Sequence, residues 1–304
     1  MKNLRVFAFA LSITFLILPG TGRLYAMDWP VREGALSRNF GWNNGGKPVL
    51  GNVFETEAPV LAAEGGEVIF FRTGGDTASR LPSPLGAWTA VDHDDGLVSV
   101  YSRYDENSGG KTGKGESGGR AGAFRVERGE AIAAAGVSGW SAKGGVYFTL
   151  FDRRERRWVN PSTIITPLPD TRPPAILSVR LENAGGQLID PGGTRYLSQG
   201  VYTVSVAAAD TRLNPGESAL APHRISCSVN GIEISSLNFE TFSTRDGALM
   251  AYRNGLVPAK QVYAPFPAFE VGKVPFTRGQ ANLEIVVQDI AGNSRSVVFR
   301  ILVE

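Results

Sequence analysis

Histidine and cysteine, the side chains that most often hold zinc, are few in this chain. Its 304 residues include two histidines, His93 and His223, and one cysteine, Cys227. A hydrolytic zinc centre needs about three nitrogen, oxygen or sulfur ligands plus an open water position. Ligand-type residues crowd together at Asp92-His93-Asp94. Adjacent strand residues point to opposite faces, so Asp92 and Asp94 converge while His93 turns away. That run reads as a hairpin end with an internally satisfied histidine. His223 follows Pro222 in a loop context, and Cys227 sits in the apolar alternation Ile225, Cys227, Val229. With no base or metal partner in any motif, Cys227 reads as a small buried hydrophobe. Asp289 and Asn293 offer too few ligands for Ca²⁺ and suit turn chemistry better.

The element that most needs explaining is the stretch from Gly139 to Asp152. Val146, Phe148 and Leu150 alternate there with Tyr147, Thr149 and Phe151, the two-residue period of a strand with two differently lined faces. Around it, residues 58–71 give two strands joined at Glu64-Gly65-Gly66. Residues 88–93 and 97–103 flank Asp94-Asp95-Gly96, a strong hairpin signal because Asp-Gly tolerates positive φ. Residues 105–123 are glycine-rich with scattered charge and read as a solvated insert.

The whole chain reads as all-β. Residues 1–26 have a secretory signal layout: Lys2 and Arg5, an apolar run from Val6 to Leu18, then Leu24-Tyr25-Ala26. Residues 27–161 form a first domain and 162–174 a proline-rich linker. Residues 175–304 form a second domain of alternating strands at 176–181, 201–207, 225–229, 281–287 and 296–303, a β-sandwich pattern. Removing the signal takes away Lys2, Arg5 and Arg23 and no acid, so the formal charge falls from +2 to −1. That balance excludes a nucleic-acid-like basic surface. No later stretch is long and apolar enough to span a bilayer as a helix. The expectation is an exported protein of the periplasm or cell envelope, soluble after signal cleavage.

Residues 38–161 resemble the lysostaphin-type (LytM-like) zinc endopeptidases that cut peptidoglycan cross-links. The matches run in the family's order: Phe40-Gly41, the segment from Ala58 to Val68, Val91-Asp-His-Asp-Asp-Gly-Leu97, Val126 to Ile132, Val137-Ser-Gly-Trp-Ser141, Tyr147-Phe148 and Val159-Asn-Pro161. Asp289-Ile-Ala-Gly-Asn293 resembles the ending of many bacterial immunoglobulin-like domains. The first resemblance implies an antiparallel, barrel-like peptidase-fold domain, and the second an immunoglobulin-like β-sandwich behind it.

Zinc is the cofactor that the peptidase resemblance implies, but its ligands do not carry over. Val49 and Val53 stand where the family places a histidine and an aspartate. Gly145 and Tyr147 replace its His-x-His, and Arg103 replaces a catalytic histidine. We therefore expect no metal ligands and no catalytic residues. His93 matches a family histidine that is not a zinc ligand. The binding-groove candidates are Arg103, Tyr147, Trp140 and His93. Arg103 offers a planar fork for a carboxylate, and Tyr147 and Trp140 offer aromatic faces. The alternative is that Arg103 pairs with Asp105 or Asp152 while the aromatics fill space left by the metal.

The resemblance thus implies a non-catalytic peptidase-like module whose partner is peptidoglycan or a cell-wall hydrolase. Two alternatives stay open: an active zinc endopeptidase with an atypical site, and a structural envelope protein.

Overall fold

The computed structural model describes residues 27–73, 83–108, 124–210 and 219–304. The signal-like residues 1–26 and positions 109–123 of the glycine-rich insert lie outside them. The described residues contain strands, two short 3-10 turns and no α-helix, so among them no helix is long and apolar enough to cross a membrane.

Ten strands occupy the first half: β1 (Ala35–Arg38), β2 (Asn52–Glu55), β3 (Val60–Leu61), β4 (Gly66–Arg72), β5 (Ala87–Asp92), β6 (Leu97–Tyr104), β7 (Phe124–Val126), β8 (Ala131–Ala133), β9 (Gly145–Asp152) and β10 (Arg157–Val159). The strand expected within the 139–152 stretch is β9, which begins at Gly145. It lies between β6 and β10 in the sheet and also pairs with β2. Its even-numbered residues Val146, Phe148 and Leu150 are buried, as the alternation requires. Phe148 sits directly opposite Tyr101 of β6, with ring centroids 5.3 Å apart. The β5–β6 hairpin turns at Asp94-Asp95-Gly96, where Gly96 takes φ +88° and the His93 amide donates to the Leu97 carbonyl at 2.9 Å.

The second half holds β11 (Ala175–Glu182), β12 (Leu188–Ile189), β13 (Tyr196–Leu197), β14 (Gly200–Ala209), β15 (Arg224–Val229), β16 (Ile232–Arg245), β17 (Ala248–Arg253), β18 (Leu256–Pro258), β19 (Ala268–Phe276), β20 (Gly279–Gln288) and β21 (Ser294–Val303). The order β12-β11-β14-β19 makes one sheet, which faces β21-β20-β15-β16 across a shared core. Val204, Val206 and Val271 on one side meet Ile225, Leu283 and Ile285 on the other. Cys227 is fully buried there, and burial pushes its thiol up to about 12. The Asp289–Asn293 segment is a turn: both Asp289 carboxylate oxygens accept from Asn293, from its amide at 2.9 Å and its side chain at 2.8 Å.

The two halves are joined by more than the proline-rich segment. Strand β10 pairs antiparallel with β16 (Arg157↔Ser243, Trp158↔Phe242, Val159↔Thr241), so one sheet runs through both. Residues 39–43, although early in the chain, pack against the second half. Phe40 is buried in that core against Phe242, at 5.2 Å between centroids. Asn39 makes two 2.8 Å hydrogen bonds with the Ala221 backbone, accepting from its amide and donating to its carbonyl. The Trp42 indole donates to the Ala219 carbonyl at 2.8 Å.

Candidate functional site

Three strands converge on one small area. Val53 of β2 lies directly opposite Tyr147 of β9, and on the other side Ser102 of β6 is also paired with Tyr147. The next residue, Arg103, is left over by the ladder: Ala87 pairs with Tyr104 and Trp88 with Ser102, a bulge that skips it. Its φ of +67° lies in the left-handed region, sparsely used by residues other than glycine. Bulges of this kind re-aim a side chain. Here the result is a guanidinium carbon 4.7 Å from the Tyr147 ring centroid, a cation–π geometry.

The Tyr147 hydroxyl accepts the Leu50 amide at 3.1 Å. Burial raises the pKa of this phenol, against the opposing effects of the Leu50 bond and Arg103. Arg103 and Val53 line a cleft of about 280 Å³, together with Ser37 and Arg38 of β1, Glu55, and Trp140 to Lys143 of the preceding loop. Trp140 is 74% exposed, an indole standing on the rim. Arg38, Glu55 and Lys143 were not singled out in the sequence, because nothing local distinguishes them from solvated surface charges.

Arg103 pairs with neither acid offered to it. Asp105 caps its own turn through the Asn107 amide at 2.9 Å, and Asp152 faces Arg157 at 3.6 Å. Among the described residues neither Arg103 nor Arg38 has an ion-pair partner, and the buried Nε of Arg103 has no hydrogen-bond acceptor. Glu55 is engaged by Lys143 at 2.9 Å. Burial lowers the Arg103 pKa from its usual value; Arg38 acts in the same direction and Tyr147 opposes it.

His93 does not line the cleft. It is 4% exposed, with Nδ1 2.9 Å from the Gly65 carbonyl and Nε2 2.9 Å from the Ser99 hydroxyl. A carbonyl only accepts, so Nδ1 carries the proton. Ser99 is in turn 3.0 Å from the Tyr101 hydroxyl, which accepts the Ala63 amide at 2.8 Å. This closed network ties the β4 turn to β6. The flanking acids are held separately, Asp92 by Arg153 and Asp94 by Arg125, each at 3.0 Å. A distant acidic trio, Asp170, Asp210 and Asp289, brings one oxygen from each residue within 4.8 Å of the others. Asp289 already takes part in its own turn.

The residues that the sequence resemblance aligns with zinc ligands do not fit zinc. Valine side chains at 49 and 53 have no donor atom, and the Tyr147 phenol is held protonated by burial. Gly145, where the family carries a histidine, leaves no room for a side chain. A Cβ there would lie 1.9 Å from the Phe54 carbonyl oxygen, and φ is +155°. No catalytic step through a metal follows from this donor set.

A protein-family model that carries no descriptive name matches residues 173–304. No curated protein matches the chain. Among solved structures, the chain is similar to a zinc-containing peptidase from Vibrio cholerae at 22% identity, covering 47% of this chain and 41% of that one, with a TM-score of 0.33. It is similar to a putative M23 peptidase from Pseudomonas aeruginosa at 20% identity, covering 43% and 47%, with a TM-score of 0.28. The chain thus spans less than half the length of either. The antimicrobial peptidase lysostaphin from Staphylococcus simulans is similar at 15% identity, covering 76% of this chain and 87% of its own, with a TM-score of 0.33.

Proposed function

We propose that this chain is an exported, peptidase-like module without zinc chemistry that binds peptidoglycan or regulates a cell-wall hydrolase. The supporting observation is the convergence of β2, β6 and β9. The ordered sequence matches assign Val53, Arg103 and Tyr147 to the family's metal and catalytic positions. Val53 and Tyr147 are direct cross-strand partners, and Arg103 lies over Tyr147. Val53 and Tyr147 meet although 94 positions apart in the chain, which supports the register of the matches. At the same positions the side chains are an alkyl group, a guanidinium and a buried phenol, and Gly145 has no space for an imidazole. The second domain, in this reading an immunoglobulin-like sandwich, buttresses the wall that carries the cleft.

The test combines metal analysis of the purified protein, a cleavage assay on peptidoglycan, and retention on intact sacculi. We expect no stoichiometric zinc, no cross-link cleavage, and retention that Arg103→Ala and Tyr147→Ala each weaken. Stoichiometric zinc with cleavage would overturn the non-catalytic reading. Absence of retention by sacculi, together with no effect on any co-expressed hydrolase, would leave a structural envelope role in its place.

A further inference from the structure

The cleft holds cations that no acid among the described residues neutralises. Three basic side chains line it, Arg38, Arg103 and Lys143, against one acid, Glu55. Lys143 takes that acid at 2.9 Å. The two arginines rest instead on aromatic rings: Arg38 lies 4.9 Å from the centroid of Trp42, and Arg103 lies 4.7 Å from that of Tyr147. A ring face engages a guanidinium without using its N–H groups, so the donor fork remains available. Buried donors in native proteins almost always have partners, yet the Nε of Arg103 has none.

The backbone points the same way. Arg103 is held at φ +67° in a bulge, and strain of that kind clusters where a side chain must be aimed at a ligand. Two unpaired arginines in one cleft, one of them strained and part-buried, are a poor arrangement for stability alone. An anion in the cleft would find in them the terminal N–H groups of two guanidinium forks.

The remaining walls narrow the class of anion. Val53 and Ala142 contribute apolar surface, and Trp140 is exposed in the same lining. A wholly polar anion such as inorganic phosphate leaves that surface unused, whereas a carboxylate carrying a small alkyl group covers it. A volume of about 280 Å³ lies at the low end of ligand pockets. It suits the end of a peptide better than a polymer running through.

We propose that the cleft receives the free C-terminal carboxylate of a short peptide, gripped by Arg38 and Arg103, with Trp140 covering the terminal side chain. The inference rests on the cell-wall reading only for the source of that peptide, a D-alanine-ended stem peptide. A protein C-terminus offers the same chemistry.

Calorimetric titration of the wild-type chain, residues 27–304, with four probes tests this. Acetyl-Lys-D-Ala-D-Ala and acetyl-Lys-L-Ala-L-Ala are each compared as free acid and as C-terminal amide. We expect a free acid to bind at least tenfold more tightly than its amide, with binding weakened by salt. Arg103→Ala and Arg38→Ala should each weaken the acid at least tenfold, and Arg103→Lys should weaken it less. The acid-against-amide comparison needs no variant, so misfolding cannot mask the result. Equal binding of acid and amide, no binding of either acid, or an acid affinity unchanged in a folded Arg103→Ala protein each overturns the inference. Binding of the L-arm acid alone supports the carboxylate site and removes the cell-wall source. Retention of wild type on sacculi with neither acid bound overturns the site and leaves the cell-wall reading standing.

Discussion

Replacing Arg103 separately by glycine and by alanine isolates the strain at the bulge. Both substitutions remove the Tyr147 contact, of order 0.5–2 kcal/mol, and both relieve the orphaned Nε, which costs about 1–3 kcal/mol. Those effects are common to the two variants and cancel in the comparison. What differs is the backbone. At φ +67° alanine keeps a left-handed penalty of about 1–2 kcal/mol that glycine escapes. Glycine loses about 0.5–1 kcal/mol of that advantage through its greater freedom in the unfolded chain. Arg103→Gly should therefore be more stable than Arg103→Ala by about 0.5–1 kcal/mol. Urea unfolding, followed by the midpoint at constant slope, reads the difference. Each variant should fall within about 1 kcal/mol of wild type, because the lost cation–π contact and the relieved donor nearly balance. Both should lose the acid peptide. An alanine variant as stable as the glycine variant would refute the argument that the bulge stores strain, and with it one support for a ligand at this arginine.

Gly145→Ala should lose about 3 kcal/mol or more, because its Cβ would meet the Phe54 carbonyl at 1.9 Å; a loss below about 1 kcal/mol by urea unfolding would refute the close approach of β2 to β9. Phe40→Ala should destabilise by about 3–5 kcal/mol through the second core, so the unfolding signal of residues 175–304 should shift with it. A shift confined to the first half would contradict the shared packing. His223 gives a pH dependence. Burial lowers its pKa, outweighing the attraction of Glu240 and Asp289, while Arg224 adds to the lowering. Glu240 is mostly exposed at 3.7 Å, so solvent screens it. The unfolded chain then binds the proton first as pH falls through the ordinary histidine value, and stability should decline from there until the folded-state value is passed. His223→Gln should flatten that part of a stability-against-pH curve, and an unchanged curve would sink the assignment.

The parts of the fold legible in the sequence are those fixed by neighbours in the chain. Asp94-Asp95-Gly96 marked its hairpin because the turn needs positive φ at Gly96. The alternation around Cys227 marked β15, and Asp289 and Asn293 formed their turn from side chains four residues apart. What could not be read depends on partners far along the chain. Strand β16 mixes polar residues such as Ser235, Ser236 and Asn238 into its run, and it is a strand because β15, β17 and β10 pair with it. The candidate site divides the same way. Arg103 and Tyr147 were singled out by their places in ordered motifs, and Trp140 is an exposed residue in the same cleft lining as Arg103. His93 was grouped with them, yet its partners Gly65 and Ser99 enclose it away from the cleft. Arg38 and Lys143 became visible only when β1 and the 140–143 loop came together.

Arg38 and Asn39 are consecutive residues with different allegiances. Arg38 lines the cleft, while Asn39 is held by both the amide and the carbonyl of Ala221 in the second half of the chain. The backbone that carries Arg38 is therefore anchored, one residue on, to a residue 182 positions away from Asn39. The Pro161–Pro174 run beside the β10–β16 pairing acts as a strap, since swinging the halves apart would tear a ladder and draw Phe40 out of its core. A displacement of the 219–223 segment would pull on Asn39, and through it on the chain immediately beside one cation of the cleft.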